Sequence, residues 1–311
     1  MKFKKPKFWD YKKPNIMAYF LLPLSFLTSV INYLKNKPLK IKKEIKTICI
    51  GNIYLGGTGK TPLSIKINQL LNKQNYKTAF IKKYYKDQID EQKILEKNGR
   101  LFCKKDREKS LNEAINSGIE VCIFDDGLQD KKIKYDISFV CFNNQSFIGN
   151  GFLIPAGPLR EKLKNLLNYD AIFLNGNNED NLNIKNIIKN INPNLEIFES
   201  LYEPIDINKL NKEDKYLVFS GIGNPDTFIK TLKNNGFNII KNLDFPDHYN
   251  YSDNDIQNIK NLAKKFNAKI LTTEKDFMRL NKTISENINY LKINLKIKNE
   301  GNLINFLKER L

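Results

Sequence analysis

The sequence predicts an α/β protein of two lobes, a larger one built on a parallel sheet and a smaller α/β one, with a basic helical head in front. Three observations carry this. At 311 residues the chain can fill two ordinary cores. Short apolar runs of strand character alternate with helical runs, the pattern of parallel sheet covered by helices on both faces. A charge-free stretch near the start is bracketed by lysines. Hydrophobic and charged shares of 41% and 28% exclude a disordered chain.

The head carries most of the charge. Residues 1–46 hold twelve Lys against Asp10 and Glu44, a net +10 of a formal +18. Outside it, no dense basic patch interleaved with aromatics stands out, so no nucleic-acid partner is expected. Pro14 to Leu34 is uncharged, between Lys12–Lys13 and Lys35–Lys37. A secretory signal needs a small-residue cleavage site, and none follows. A spanning helix has barely enough length, and Pro23 breaks it. Leu24, Leu27, Ile31 and Leu34 fall on one helical face, with Ser25, Thr28, Ser29 and Asn32 opposite. Such a helix, with lysines at both ends and Phe8, Trp9 and Tyr11 nearby, suits a peripheral anchor in an anionic membrane interface. The competing reading packs it on the protein's own core.

Strands are expected at Thr47–Ile50, Thr78–Ile81, Ile119–Phe124, Ile137–Phe142 and Ala171–Leu174. Helices are expected after Thr61, around Leu111–Ile115 and after Arg160, while Asn175–Asn194 reads as loop plus a short polar helix. A second alternation starts near Tyr216, with strands Tyr216–Phe219, Asn238–Lys241 and Ile270–Thr272 and helices around Asp226–Leu232 and Asp253–Phe266. The lobes are therefore expected at 47–208 and 209–311. Cys49, Cys122 and Cys141 lie inside strand-like runs and no C-x-x-C pair occurs, which reads as buried thiols in a reducing compartment.

The chemistry begins where the first strand ends. Thr47–Ile50 runs into Gly56-Gly57-Thr58-Gly59-Lys60-Thr61-Pro62. Glycines let backbone amides approach a phosphate, and a helix N-terminus favours the anion. Lys60 reaches the outer phosphates, and the Thr61 hydroxyl suits Mg²⁺. The strict G-x-x-x-x-G-K-[ST] pattern fails because Tyr54, followed by Leu55, stands where its first glycine belongs. The doubled glycine marks a variant loop. A second apolar strand ends in Asp125-Asp126-Gly127, two acids placed to hold the metal directly or through water; the alternative is a plain Asp-Gly turn.

Taken in order, these segments resemble the tetraacyldisaccharide 4'-kinase family over almost the whole chain. They are Gly51-Asn52 with the glycine-rich loop, Asp125–Gln129, Gly149-Asn150-Gly151 into Pro155-Ala156-Gly157-Pro158-Leu159-Arg160-Glu161, Asn175-Gly176, Gly221–Pro225, Asp247-His248 and Thr273–Asp276. The resemblance implies transfer of the ATP γ-phosphoryl group to the 4'-hydroxyl of an acylated disaccharide 1-phosphate. It also implies a P-loop kinase lobe and a location at the cytoplasmic face of the inner membrane, with no obligate protein partner. Arg160 is implied near the phosphates and Glu161 near the metal, both opening a helix. Asp90, aligned through Asp90-Glu91, and His248, the only histidine, are implied as the pair that deprotonates the sugar hydroxyl. The two would come from different lobes, implying closure around the substrates. Gln129, Asn224, Glu274 and Lys275 are further candidates, although Thr273 with Asp276 also reads as a helix cap.

Three departures from the family pattern stand out: Asp130 where a His is usual, Lys82-Lys83-Tyr84-Tyr85 for a Ser-Arg-Gly-Tyr-like segment, and Tyr249 for a second His. The alternative class is a membrane- or DNA-positioning switch ATPase of the partition type. Those proteins carry a signature Lys where Leu55 stands and lack the Gly-Pro-Leu-Arg-Glu segment.

Overall fold

The computed structural model describes residues 5–35, 45–130, 132–176, 181–281 and 283–311, with the backbone alone for 31–35. The predicted apolar positions Ile31 and Leu34 and the Lys35–Lys37 lysines thus fall outside the described side chains. The chain forms α1 (Ile16–Phe20), α2 (Leu22–Lys35), β1 (Lys46–Gly51), α3 (Lys60–Lys73), β2 (Thr78–Lys83), α4 (Ile89–Asn98) and β3 (Leu101–Lys104). There follow α5 (Arg107–Asn116), β4 (Val121–Asp125), β5 (Ile137–Asn143), β6 (Ala171–Asn175), α6 (Leu182–Ile191) and β7 (Glu196–Ile205). The last elements are β8 (Lys215–Ser220), α7 (Pro225–Asn234), β9 (Asn238–Asp244), α8 (Asp253–Lys265), β10 (Lys269–Thr273), α9 (Glu274–Phe277), β11 (Ile288–Ile297) and α10 (Glu300–Lys308).

Contacts divide the chain into a larger unit of Lys5–Tyr84, Asn98–Leu201 and Leu295–Leu311, and a smaller one that includes Tyr85–Lys97 and Tyr202–Asn294. The expected division at 208/209 does not carry these two exchanges, because the packing behind them is distant in sequence. Phe306 of α10 packs against Phe139 and Phe198 in the larger unit. The acids at the start of α4 pair with Lys275 and Arg279 in the smaller one.

In the larger unit the strands run β3-β2-β4-β1-β5-β6-β7, each neighbouring pair parallel. Cys49, Ala79, Ile81, Cys122 and Phe124 enter one core cluster, and the alternate residues Ile48, Ile50, Phe80 and Ile123 are also fully buried. A sheet covered on both faces explains why its strands read as unbroken apolar runs. The chain leaves β1 to one side of the sheet and returns on the other, so the carboxyl end of β1 is the switch point where α/β sheets place ligands. Ile50 pairs in register with Asp125, which sets the acidic end of β4 beside it.

The head belongs to this unit. Trp9 is buried and its indole N–H donates to the Pro155 carbonyl at 3.0 Å. Pro23 falls in the first turn of α2, just past the break after α1. Ser25 Oγ donates to Leu153 O at 2.8 Å and accepts from Ala156 N at 3.0 Å; Thr28 Oγ1 donates to Ile154 O at 2.7 Å. The polar residues Ser25 and Thr28 of α2 therefore lie against the 149–160 loop, while Phe26 of α2 (70% exposed) and Ile16 and Phe20 of α1 (each 86%) point outward. Among the described residues no helix is long and apolar enough to cross a membrane.

In the smaller unit β11-β10-β8-β9 form parallel pairs. Leu217 and Phe219 of β8 pack with Ile256 and Ile259 of α8. Tyr216 and Val218 pack with Phe228 and Leu232 of α7. That is the period-2 division of a strand sandwiched between helices.

Candidate functional site

The loop between β1 and α3 has the shape of a glycine-rich turn that opens a helix. Gly59 is the N-cap of α3 with φ +85° and ψ +22°, a left-handed conformation that glycine reaches without penalty. Asn52 Nδ2 donates to Thr58 Oγ1 at 3.0 Å and Asn175 Nδ2 donates to the Thr58 carbonyl at 2.5 Å, so the loop is held from β1 and β6. The Tyr54 ring lies beside Gly56 of the loop, 3.2 Å from where a Cβ on that glycine would sit. Tyr54 is buried, its hydroxyl lies 2.5 Å from Asp10 and its backbone bridges Leu159.

Lys60, Thr61, Asp125 and Asp126 converge at the ends of β1 and β4. Asp125 is fully buried and accepts from Thr61 Oγ1 and Ser64 Oγ, each at 3.3 Å, and from Lys82 Nζ at 2.7 Å. Asp126 takes φ +61°, a costly conformation for a residue with a side chain, which turns its carboxylate toward Lys60 Nζ at 3.9 Å and Arg160 Nη1 at 3.3 Å. Arg160 also donates to Gln129 Oε1 at 3.1 Å, and Glu161 accepts from Tyr169 at 2.9 Å and Asn165 at 3.0 Å. Arg160 and Glu161 do not open a helix, contrary to expectation. Arg160 N donates to Ile53 O at 2.7 Å, which holds this stretch alongside the loop, and a 3₁₀ turn starts only at Leu163. Asp130, which replaces the usual His, pairs with Arg107 at 3.2 Å, and Arg107 also donates to the Asp126 carbonyl at 2.6 Å.

The smaller unit holds the second constellation. His248 sits after β9 at φ +55°, with its backbone N–H donating to Gly221 O at 3.1 Å. Its Nδ1 is 3.3 Å from Asp90 Oδ1, and its Nε2 is 4.0 Å from Glu91 Oε1. Asp90 is buried on α4, in the same unit as His248 rather than in a different lobe. Burial works to raise its carboxyl, but the hydrogen bond with His248 and the cations Lys275 and Arg279 outweigh it and hold it at about 2. Arg279 Nη2 donates to Asp90 Oδ2 at 2.6 Å.

Other candidates take structural places. Asn224 caps α7 by accepting from Thr227 N at 3.3 Å. Thr273 caps α9 by accepting from Asp276 N at 3.1 Å. Glu274 pairs with Lys97 at 3.3 Å, and Lys275 with Glu91 at 2.5 Å. Lys82 and Arg279 were not assigned a role from the sequence. The signal for Lys82 was a charge closing the apolar run Ala79-Phe80-Ile81, since a buried lysine demands an anion.

A glycine-rich loop at the switch point of a parallel sheet, with a lysine, a hydroxyl and strand-end acids around it, defines a P-loop phosphotransferase class of protein. A sequence model of the tetraacyldisaccharide-1-P 4'-kinase family matches residues 17–101 and 90–311. The tetraacyldisaccharide 4'-kinase of Pelagibacter ubique is 54% identical over 99% of this chain and 98% of its own length. That of Rickettsia canadensis is 37% identical over 96% and 95%. The crystal structure of LpxK from Aquifex aeolicus in complex with ATP superposes with a TM-score of 0.70 at 25% identity, covering 94% of this chain and 99% of that one. The chain belongs to the tetraacyldisaccharide 4'-kinase family.

Proposed function

We propose that the cradle of the larger unit holds ATP with Mg²⁺, and that His248, oriented by Asp90, receives the proton of the acceptor hydroxyl. The reaction is the family's: the γ-phosphoryl group of ATP passes to the 4'-hydroxyl of a tetraacyldisaccharide 1-phosphate, a step of lipid A biosynthesis. The observation that carries this reading is that the residues after the glycine-rich loop meet the acids ending β4, Lys60 facing Asp126 and Thr61 bonding Asp125. Family membership leaves no ground for the partition-type alternative.

The donor set fits the metal. Thr61 Oγ1 and the carboxylates of Asp125 and Asp126 are hard oxygen donors, with Glu161 further along the same rim. Among the described residues no cluster of three or more His, Cys, Asp or Glu forms a protein-only cage. Mg²⁺ suits such a place, since it takes one or two carboxylates and completes its shell with phosphates and water. Bound there, it supplies positive charge that neutralises the phosphate oxygens. Lys60 and Arg160 add charge fixed before the reaction, which is where most of the rate in phosphoryl transfer arises. In the smaller unit, Nδ1–H of His248 donates to Asp90, which leaves the Nε2 lone pair to take the hydroxyl proton.

The head supports a peripheral place on an anionic bilayer at the cytoplasmic face of the inner membrane, where an acylated substrate resides. A helix that gives its polar face to the protein and its aromatic and aliphatic face to the outside suits an interface. The decisive experiment incubates the protein with labelled ATP, Mg²⁺ and a tetraacyldisaccharide 1-phosphate, followed by mass analysis of the lipid. A product carrying one added phosphate, absent with Lys60→Ala or Asp126→Ala, is expected. Turnover that survives either folded variant overturns the assignment of the loop.

A further inference from the structure

The contacts of Arg279 reach beyond the Thr273–Asp276 cap that precedes it. Its Nη1 donates to Asp276 Oδ1 and to the Gly221 carbonyl, each at 2.8 Å. Its Nη2 donates to Asp90 Oδ2 at 2.6 Å and lies 3.3 Å from His248 Nδ1. The Gly221 carbonyl also accepts the backbone N–H of His248, so one guanidinium is tied both to the acid of the pair and to the turn that carries the imidazole. The side chain is 5% exposed, and its Nε–H is buried without a partner. A buried donor left unmatched is a cost that the other contacts must offset.

We propose that Arg279 is a positioning residue for proton transfer, holding Asp90 Oδ2 so that Oδ1 alone meets His248 and Nε2 keeps its lone pair for the substrate. The proposal rests on the reading of Asp90 and His248 as the proton acceptor. His248 Nδ1 is equally far from Asp90 Oδ1 and Arg279 Nη2. With the proton on Nδ1 it donates to the carboxylate and Nε2 is competent. With the lone pair on Nδ1 it accepts from the guanidinium, and Nε2 carries a hydrogen and cannot act. A carboxylate fixed at both oxygens selects the first tautomer. Without the guanidinium, Oδ2 is released and that selection weakens. Lysine in its place offers one point charge that cannot match the planar fork.

The test is single-turnover phosphorylation at saturating ATP, with pH profiles, for Arg279→Ala, Arg279→Lys, His248→Ala and Asp90→Ala. Charged and titratable groups facing the pair are Glu91 of α4, Asp247 beside His248, Lys275 and Asp276 of α9, and Tyr251; all stay in place. Arg279→Ala is expected to slow the step about 10- to 100-fold, a share of the 10²–10⁴ that a general base supplies, with ATP affinity unchanged. Its acid limb should move to higher pH, because burial then acts on Asp90 with one cation fewer. Millimolar guanidinium should restore part of the rate to Arg279→Ala and none to His248→Ala, with a sodium salt as control. Arg279→Lys should recover part of the rate.

A normal rate in Arg279→Ala beside a slow His248→Ala overturns the proposal and leaves the proton acceptor standing. So does a slow Arg279→Ala with neither rescue nor a shifted limb, the behaviour of a purely structural arginine. Normal rates in both His248→Ala and Asp90→Ala remove the acceptor reading and the proposal with it. If Arg279→Ala does not fold, Arg279→Lys carries the test, and a normal rate with an unshifted profile overturns it.

Discussion

Asp125 has a cation of its own. Lys82 Nζ lies 2.7 Å from its carboxylate, and the two side chains are 2% and 0% exposed. Removing one partner of a buried pair costs about 3–5 kcal/mol, because the remaining charge stays desolvated. Lys82→Met should therefore lower stability by about that amount in urea unfolding, and Lys82→Met with Asp125→Asn should recover much of it. A variant as stable as the parent would show that the Lys82 pairing contributes nothing. The Asp90–His248 pair makes a different demand. His248→Ala should reduce the single-turnover rate by about 10²–10⁴, Asp90→Ala similarly, and the double variant far less than the product, since both serve one step. Multiplicative losses would separate the two residues. At this scale His248 was legible as the only imidazole of the chain. Asp90 was nominated by a resemblance alone, because nothing within α4 announces a partner 158 positions away.

The elements tell a parallel story about α2. Its amphipathic period was readable, but a period does not say which face meets the protein. The hydroxyls of Ser25 and Thr28 meet the loop through its carbonyls, and Leu24, Phe26 and Leu27 are left exposed. That loop also carries Arg160, with the Leu55 N–H donating to the Pro158 carbonyl at 2.8 Å and Leu159 bridging Tyr54. Removing residues 1–34 would thus disturb the cradle as well as any anchor, so point substitutions on the outer face are the cleaner test. Phe20→Ser with Phe26→Ser exchanges two exposed rings for hydroxyls and leaves Trp9, Ser25 and Thr28 in place. The pair should release the protein from anionic vesicles in sedimentation and raise the apparent KM for membrane-borne lipid, with ATP affinity unchanged. Sedimentation equal to that of the parent would remove the anchor from the proposed function.

Across the whole molecule, alternation revealed the apolar strands of both units and the mixed β9, and it missed β3, β7 and β11. β7 and β11 carry charges along half-buried faces, and β3 is four residues long. The exchange of 85–97 and 295–311 between units follows from tertiary packing that no local window contains. The glycine-rich turn between β1 and α3 has a local signal and was legible as a strand–loop–helix, and the nucleotide binding proposed for it can be measured on the intact protein. A ligand that binds only the folded state stabilises it by about 2.7 kcal/mol at a hundred times its Kd. For a chain of 311 residues, 1 kcal/mol moves Tm by roughly 1–2 °C, so saturating Mg-ATP should raise Tm by several degrees. On the proposed function, which gives the His248 imidazole a part in proton acceptance and none in holding the nucleotide, His248→Ala should show the full shift. Lys60→Ala should lose most of it, because the outer phosphates then face the loop without their cation. ATP without Mg²⁺ should give a smaller shift than Mg-ATP if Thr61 and Asp126 hold the metal, and Asp126→Ala should abolish the difference between the two. An undiminished shift in Lys60→Ala would place the nucleotide elsewhere, whatever the phosphorylation assay shows.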